Sequence, residues 1–203
     1  MAENWSMTPH SRIGGFVLAG GRSRRMGRDK ATLQWHHGSL LDHAAALLST
    51  AADHVRIVGR EDLPDRLPAC GPLGGILTAL EAADTEKNLV IAVDLPLLTP
   101  RFLRFLRRRL EMSDGVIVAC KIGSDYPLCL GVHRSLAPSM AERIAKGKLA
   151  VWQVIEETES EVLDEEEIQA AGFDSSMFDN VNTPEDWERI RGRIRIADCG
   201  LRI

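Results

Sequence analysis

Five cations, Arg22, Arg24, Arg25, Arg28 and Lys30, crowd one short stretch, GGRSRRMGRDK from Gly20 to Lys30, directly behind the apolar run Phe16 to Ala19. Gly20 and Gly21 open that stretch, and glycines let backbone N–H groups approach anionic oxygens without a Cβ in the way. Concentrated positive charge beside such amides suits a triphosphate leaving water. Taken alone, the basic run also reads as a solvated turn or a nucleic-acid patch; a buried strand in front of it favours a phosphate site. Spacing excludes two commoner phosphate loops. Gly21 and Gly27 have five residues between them and Gly27 is followed by Arg28-Asp29-Lys30, so there is no Walker loop, and no G-x-G-x-x-G opens a helix.

A second residue with chemical capacity is Asp94, which follows the apolar run Leu89 to Val93. A bound triphosphate travels with Mg²⁺, which takes one or two carboxylates and fills its other positions with water and phosphate oxygens. Asp94 fits that role at the same sheet edge as the glycine loop; with Pro96 and Thr99 following, it also reads as a turn aspartate. The six histidines fall in no ligand spacing and no Ser-His-Asp arrangement stands out. If the acceptor is itself a phosphate, its oxygen is already anionic and needs no general base, so alignment and charge neutralisation suffice.

These residues need a scaffold that brings strand ends together. Ile13 and Phe16 to Ala19 read as a buried first strand, with Gly14 and Gly15 bounding it. Helices are expected over 40–52, 73–83 (entered through Gly71-Pro72), 100–111, 136–146 and 149–156, and strands over 55–58, 89–93, 116–120, 128–133 and 178–181. Residues 61–72 read as a loop and the acidic stretch 156–167 as solvated surface. Thr183-Pro184-Glu185-Asp186 supplies an N-cap, a first-turn proline and acids for a last helix to about Ile194. Arg101, Arg104, Arg107, Arg108 and Arg109, spread around one helix, read as a solvated face rather than a nucleic-acid surface. Alternating strands and helices predict an α/β sandwich with a mostly parallel sheet and ligands beyond the strand carboxyl ends.

The chain has 203 residues, 44% of them hydrophobic, enough for one domain over residues 13–203 behind a flexible extension at 1–12. Its formal net charge of −4 gives no global attraction to nucleic acid or anionic membrane, so the basic loop is a local feature with a small partner. Cys70, Cys120, Cys129 and Cys199 have no C-x-x-C spacing and read as thiols in a reducing compartment. The N-terminal stretch lacks the apolar core of a signal peptide and no run approaches membrane-spanning length, so a cytoplasmic protein is expected.

In that order, LAGGRSRRMGRDK, the GPLGG segment from Gly71 to Gly75, VDLPLL from Val93 to Leu98 and NVNTPEDW from Asn180 to Trp187 resemble the molybdenum cofactor guanylyltransferases. The resemblance spans Phe16 to Arg191. It implies a Rossmann-like three-layer α/β/α nucleotidyltransferase that joins GMP from GTP to molybdopterin with Mg²⁺ and releases pyrophosphate. By the same resemblance, Leu18, Ala19, Gly20 and Gly21 line the nucleotide, Arg25 and Lys30 hold its triphosphate, and Asp65 is a nucleotide-contacting aspartate. Gly71, Pro72 and Leu73 then approach the base, Asp94 binds the metal, and Asn180 and Asn182 face the pterin. Arg25, Lys30 and Asp94 are the implied catalytic set. The chain departs from the family between Val58 and Gly71, which is short, and Gly59-Arg60 stands where an asparagine often contacts nucleotide. A cytidylyltransferase for the same cofactor, a sugar-phosphate nucleotidyltransferase and a non-catalytic molybdopterin carrier are the competing readings. GTP and molybdopterin are the implied small-molecule partners, with room for transient contact with proteins that deliver molybdopterin or accept the product.

Overall fold

The computed structural model of the protein describes residues 12–20, 26–27 and 29–199, the side chains of Pro68 and 194–199 excepted. Nearly all of the expected N-terminal extension, and Gly21, Arg22, Arg24, Arg25 and Arg28 of the basic loop, lie outside the described residues. In chain order the elements are β1 (Ile13–Leu18), β2 (Gln34–Trp35), β3 (Gly38–Ser39), α1 (Leu40–Leu48), β4 (His54–Val58), α2 (Gly71–Ala82), β5 (Lys87–Ala92) and α3 (Pro100–Met112). There follow β6 (Ile117–Cys120), β7 (Cys129–His133), α4 (Ala137–Ala145), α5 (Val151–Glu157), β8 (Ser160–Leu163), α6 (Glu165–Ala170) and α7 (Pro184–Cys199).

Six strands form one sheet in the order β4-β1-β5-β7-β6-β8, in which β7 alone runs antiparallel to its neighbours. The central strands are apolar on both faces because both are covered. Ile13 and Val17 of β1 and Leu89 and Ile91 of β5 pack with Leu40, Leu48, Leu103, Leu106 and Trp187 on one side. Phe16, Leu18 and Val90 pack with Leu73, Ile76, Leu80, Met140 and Val154 on the other. This is the expected three-layer sandwich. Helix starts follow local chemistry. Ser39 and Asp42 form a capping box on α1, and the Thr99 hydroxyl accepts from the Phe102 amide at 3.2 Å with Pro100 in the first turn of α3.

Several sequence expectations are corrected. Gly14 and Gly15 lie inside β1, paired with His54 and Val55, because a Cβ on Gly14 would fall 2.6 Å from the Thr85 hydroxyl and one on Gly15 2.7 Å from the Ala52 methyl. The acidic stretch 156–167, expected as solvated surface, contains edge strand β8 and the start of α6; Leu163 is buried and Glu161 pairs with Arg109 across to α3, so the charge marks a sheet edge. Residues 178–181 form no strand. The chain ends a 3-10 turn at Phe178, whose ring meets Phe102 edge-on at 5.2 Å, and then runs past the sheet. Of the α3 arginines, Arg101, Arg104 and Arg108 are exposed as expected, with Arg101 over the Phe173 ring, while Arg107 is half-buried, reaching the Ala51 carbonyl at 3.0 Å and Glu111 at 2.9 Å. The hairpin β2–β3 was not legible in the sequence; its turn holds His36 at φ 47. No helix among the described residues is long and apolar enough to cross a membrane.

Candidate active site

Strands β1, β4 and β5 are parallel neighbours, so the segments leaving them emerge at one edge. The Ala19 amide donates to the Val58 carbonyl at 2.9 Å and the Val93 amide to the Leu18 carbonyl at 3.1 Å, carrying the ladder past the strand ends and fixing the start of each loop. Gly59 then lies flat on Gly20: at φ +89, a Cβ there would stand 2.6 Å from the Gly20 nitrogen and Cα. A side chain at position 59 has no room at this backbone.

The short segment after β4 closes on itself, with the Gly59 amide donating to the Leu63 carbonyl at 2.8 Å and the Leu63 amide to the Arg60 carbonyl at 3.1 Å. Leu63 is buried beneath it. Asp65 follows at the rim, where its Oδ1 accepts from the Leu67 amide at 2.9 Å and from the Thr78 hydroxyl of α2 at 3.4 Å. The short segment leaves the Asp65 carboxylate beside Gly20.

A cavity of about 440 Å³ opens over these ends, within the usual size of small-molecule sites. Of the residues singled out in the sequence, Leu18, Ala19, Gly20, Lys30, Asp65, Gly71, Pro72, Asp94 and Asn182 line it. α2 points its first turn at this space, with Gly71 at φ +61 and Pro72 at the second position, so its leading amides have no partner within the helix. Leu73 is a correction: its side chain is fully buried against the sheet and does not reach the cavity. Gly21 and Arg25 lie outside the described residues.

Lys30 is the junction. Its Nζ donates to Asp94 Oδ2 at 3.1 Å and to Asn182 Oδ1 at 2.5 Å, joining the end of β1's loop, the end of β5 and the entry to α7. Backbone contacts hold its partners: the Val181 amide donates to the Asp94 carbonyl at 2.9 Å, and Asp186 accepts from the amides of Asn182 and Thr183 at 3.1 and 3.0 Å. Burial pushes the Asp186 carboxyl up, but these amides and Arg189 outweigh it and hold its pKa below the ordinary carboxylate value.

A second cavity of about 1090 Å³ adjoins the first, sharing Pro72, Asp94, Leu128 and Asn182 with it. Asn180 lines only this one, with Tyr126, Trp152 and Arg189 among its walls. Two compartments thus meet at Asp94 and Asn182. The site also contains Asp29 and Arg60, which sequence reasoning left unassigned: Asp29 lines the smaller cavity, and Arg60 Nη2 reaches its carboxylate oxygens at 3.0 and 2.7 Å. An aspartate preceding a short helical turn was a usable capping signal for Asp29; nothing local marked Arg60.

A glycine turn, a lysine and a carboxylate gathered above adjacent parallel strands define a Rossmann-like α/β domain of the nucleotide-handling class. The chain belongs to the MobA-like NTP transferase domain family, whose model matches residues 15–162. It is 36% identical over 186 residues, 87% of this chain and 93% of the relative, to the molybdenum cofactor guanylyltransferase of Xanthomonas euvesicatoria. It is 33% identical to the probable molybdenum cofactor guanylyltransferase of Carboxydothermus hydrogenoformans, over 86% of this chain and 92% of that one. Its fold matches the crystal structure of molybdopterin-guanine dinucleotide biosynthesis protein A from Archaeoglobus fulgidus with a TM-score of 0.73 at 22% identity, covering 87% and 96% of the two chains.

Proposed function

We propose that the protein transfers GMP from GTP to molybdopterin, forming the guanine dinucleotide cofactor and releasing pyrophosphate. The observation that carries this reading is Lys30, bonded at once to Asp94 and Asn182 where two cavities meet. A transferase for two substrates needs such a junction, since the reacting atoms must face each other across it. GTP takes the smaller cavity, with its base and ribose between Gly20, Asp65 and the first turn of α2 and its phosphates toward Lys30. Molybdopterin takes the larger, beside Asn180 and Asn182.

In the step itself an anionic oxygen of the molybdopterin phosphate forms a bond to the α-phosphorus as the bond from that phosphorus to the leaving pyrophosphate oxygen breaks. No proton has to be removed from the nucleophile. The ammonium of Lys30 neutralises charge gathering on the phosphoryl oxygens, with Arg25 assigned the same role on the family pattern. Asn182 keeps the lysine aimed, and the backbone hydrogen bond from the Val181 amide to the Asp94 carbonyl keeps Asn182 in register with β5.

The donor set fits Mg²⁺. Among the described residues no three His, Cys, Asp or Glu side chains gather as a protein cage, while Asp94 offers one carboxylate, as suits an ion held otherwise by water and phosphate oxygens. Asp94 is the residue that would hold it, and bound there the ion would polarise the phosphoryl oxygens and offset the charge of the leaving pyrophosphate. We place the protein, as one domain over residues 13–203, in the cytoplasm with its small-molecule substrates.

The test is pyrophosphate release with molybdopterin and GTP, CTP or ATP, with Mg²⁺ and with excess chelator. Release with GTP alone that stops on chelation is expected. Release with CTP in its place would assign a cytidylyltransferase, and binding without release by well-folded protein a carrier.

A further inference from the structure

Lys30 is held from behind as well as in front. It opens a 3-10 turn over Lys30–Thr32 whose cap is Asp29, with Asp29 Oδ1 accepting from the Ala31 amide at 3.0 Å. The same carboxylate is gripped by Arg60 Nη2 at 2.7 and 3.0 Å. Arg60 in turn has little freedom: it follows Gly59, which is pressed onto Gly20, and its carbonyl accepts from Leu63. The contacts therefore run from the end of β4 through Arg60 and Asp29 to the turn that presents Lys30.

The charge pattern points the same way. Asp29 lines the smaller cavity, where a polyphosphate would meet a bare carboxylate as a repulsive wall. Arg60 sets a cation directly against it. With side chains 33% and 39% exposed, the pair is too solvated to serve mainly as a stability element. We propose that Arg60 is a positioning residue for the transfer reaction, acting through Asp29 to fix the Lys30 turn and to cancel the Asp29 charge toward incoming nucleoside triphosphate. This inference rests on the reading that Lys30 meets the phosphates.

The experiment compares Arg60→Ala, Arg60→Gln, Arg60→Lys, Asp29→Asn and the double variant Arg60→Ala with Asp29→Asn. Each is assayed for GTP–Mg²⁺ affinity by calorimetry, for kcat and KM of pyrophosphate release, and for thermal stability. Asn at 29 can still accept from the Ala31 amide but carries no charge. Arg60→Ala should weaken GTP binding and lower kcat, each on the order of tenfold, within the range coupled neighbours show. Asp29→Asn added to it should restore much of the binding, and Arg60→Lys part of both. A purely structural arginine would give no such suppression by removal of its partner. If Arg60→Ala does not fold, Arg60→Gln carries the same comparison, with and without Asp29→Asn. Parental affinity and turnover in the Arg60 variants, or losses in the two positions that simply add, would overturn the inference while Lys30→Ala remains inactive. Parental turnover in Lys30→Ala would instead overturn the underlying reading of the site.

Discussion

Replacing Lys30 with alanine separates what the lysine does for chemistry from what it does for the fold. Unit charges 3.1 Å apart attract by about 5 kcal/mol at an effective dielectric of about 20, the gross value for Lys30 and Asp94. Both side chains keep some water, 15% and 22% exposed, and the lysine gives up solvation and rotamer freedom, so the net loss on its removal is about 1–3 kcal/mol. For a chain of this size that lowers the melting temperature by roughly 2–12 °C, leaving a folded protein at ambient temperature. Turnover should suffer far more, because the missing ammonium is a fixed charge stabiliser: kcat should fall by about 10²–10³. Lys30→Arg should recover part of it, since a planar guanidinium keeps the charge but not the compact geometry that meets Asp94 and Asn182 together. The assays are pyrophosphate release under saturating GTP and molybdopterin, and a thermal melt of the same preparations. Turnover in Lys30→Ala within about twofold of the parent, with the expected drop in melting temperature, would refute the catalytic assignment.

Three further outcomes follow from the geometry. Gly59→Ala should cost about 2–5 kcal/mol in a denaturant titration and weaken GTP binding, because the added methyl meets Gly20 in a backbone region alanine avoids; an unchanged midpoint would contradict the packing described. His43 sits against Trp35 with its Nε2 on the Pro96 carbonyl at 3.0 Å, and burial holds its pKa below the ordinary 6.5. The unfolded chain therefore binds the proton first, so stability should fall as pH drops from about 6.5; His43→Asn should flatten that slope in pH-dependent melts, and an equal slope would exclude His43 as the source. Cys120 and Cys129 are buried, with burial pushing the Cys120 thiol up to about 12 and Cys129 well above its ordinary value, so peptide mapping after native alkylation at pH 8 should find both unlabelled while Cys70 is modified; labelling of all three at one rate would show that the sheet opens readily.

The meeting of Lys30 and Asp94 was legible because both follow strands apolar on two faces, and such strands sit side by side with their ends at one edge. Helix α3 was equally clear from Thr99 and Pro100. The edges of the sheet were not: β8 has only four residues, and Glu161 and Leu163, two apart, share one face, so no clean alternation announced the strand and its charge masked its pairing. The chain at Phe178 to Val181 carries the same apolar residue types as a strand, yet β1 and β5 already have neighbours on both sides and offer it no ladder. Leu73 shows the limit of motif transfer, since a helix that aims its amides at a ligand must turn some of its side chains into the core. Arg60 and Asp29, 31 residues apart, are joined only by tertiary folding, and no local pattern announces such a pair.

The hydrogen bond from Lys30 to Asn182 spans 152 residues of sequence, fastening a segment near the start of the chain to one near its finish. Such a clasp makes the junction vulnerable before the sheet is. If α7 detaches in a partial opening, the six-stranded core can persist while Lys30 loses Asn182 and the Asp94 carbonyl loses Val181. Warming should then extinguish turnover some degrees below global melting, and a bound substrate touching both ends of the clasp should close that gap.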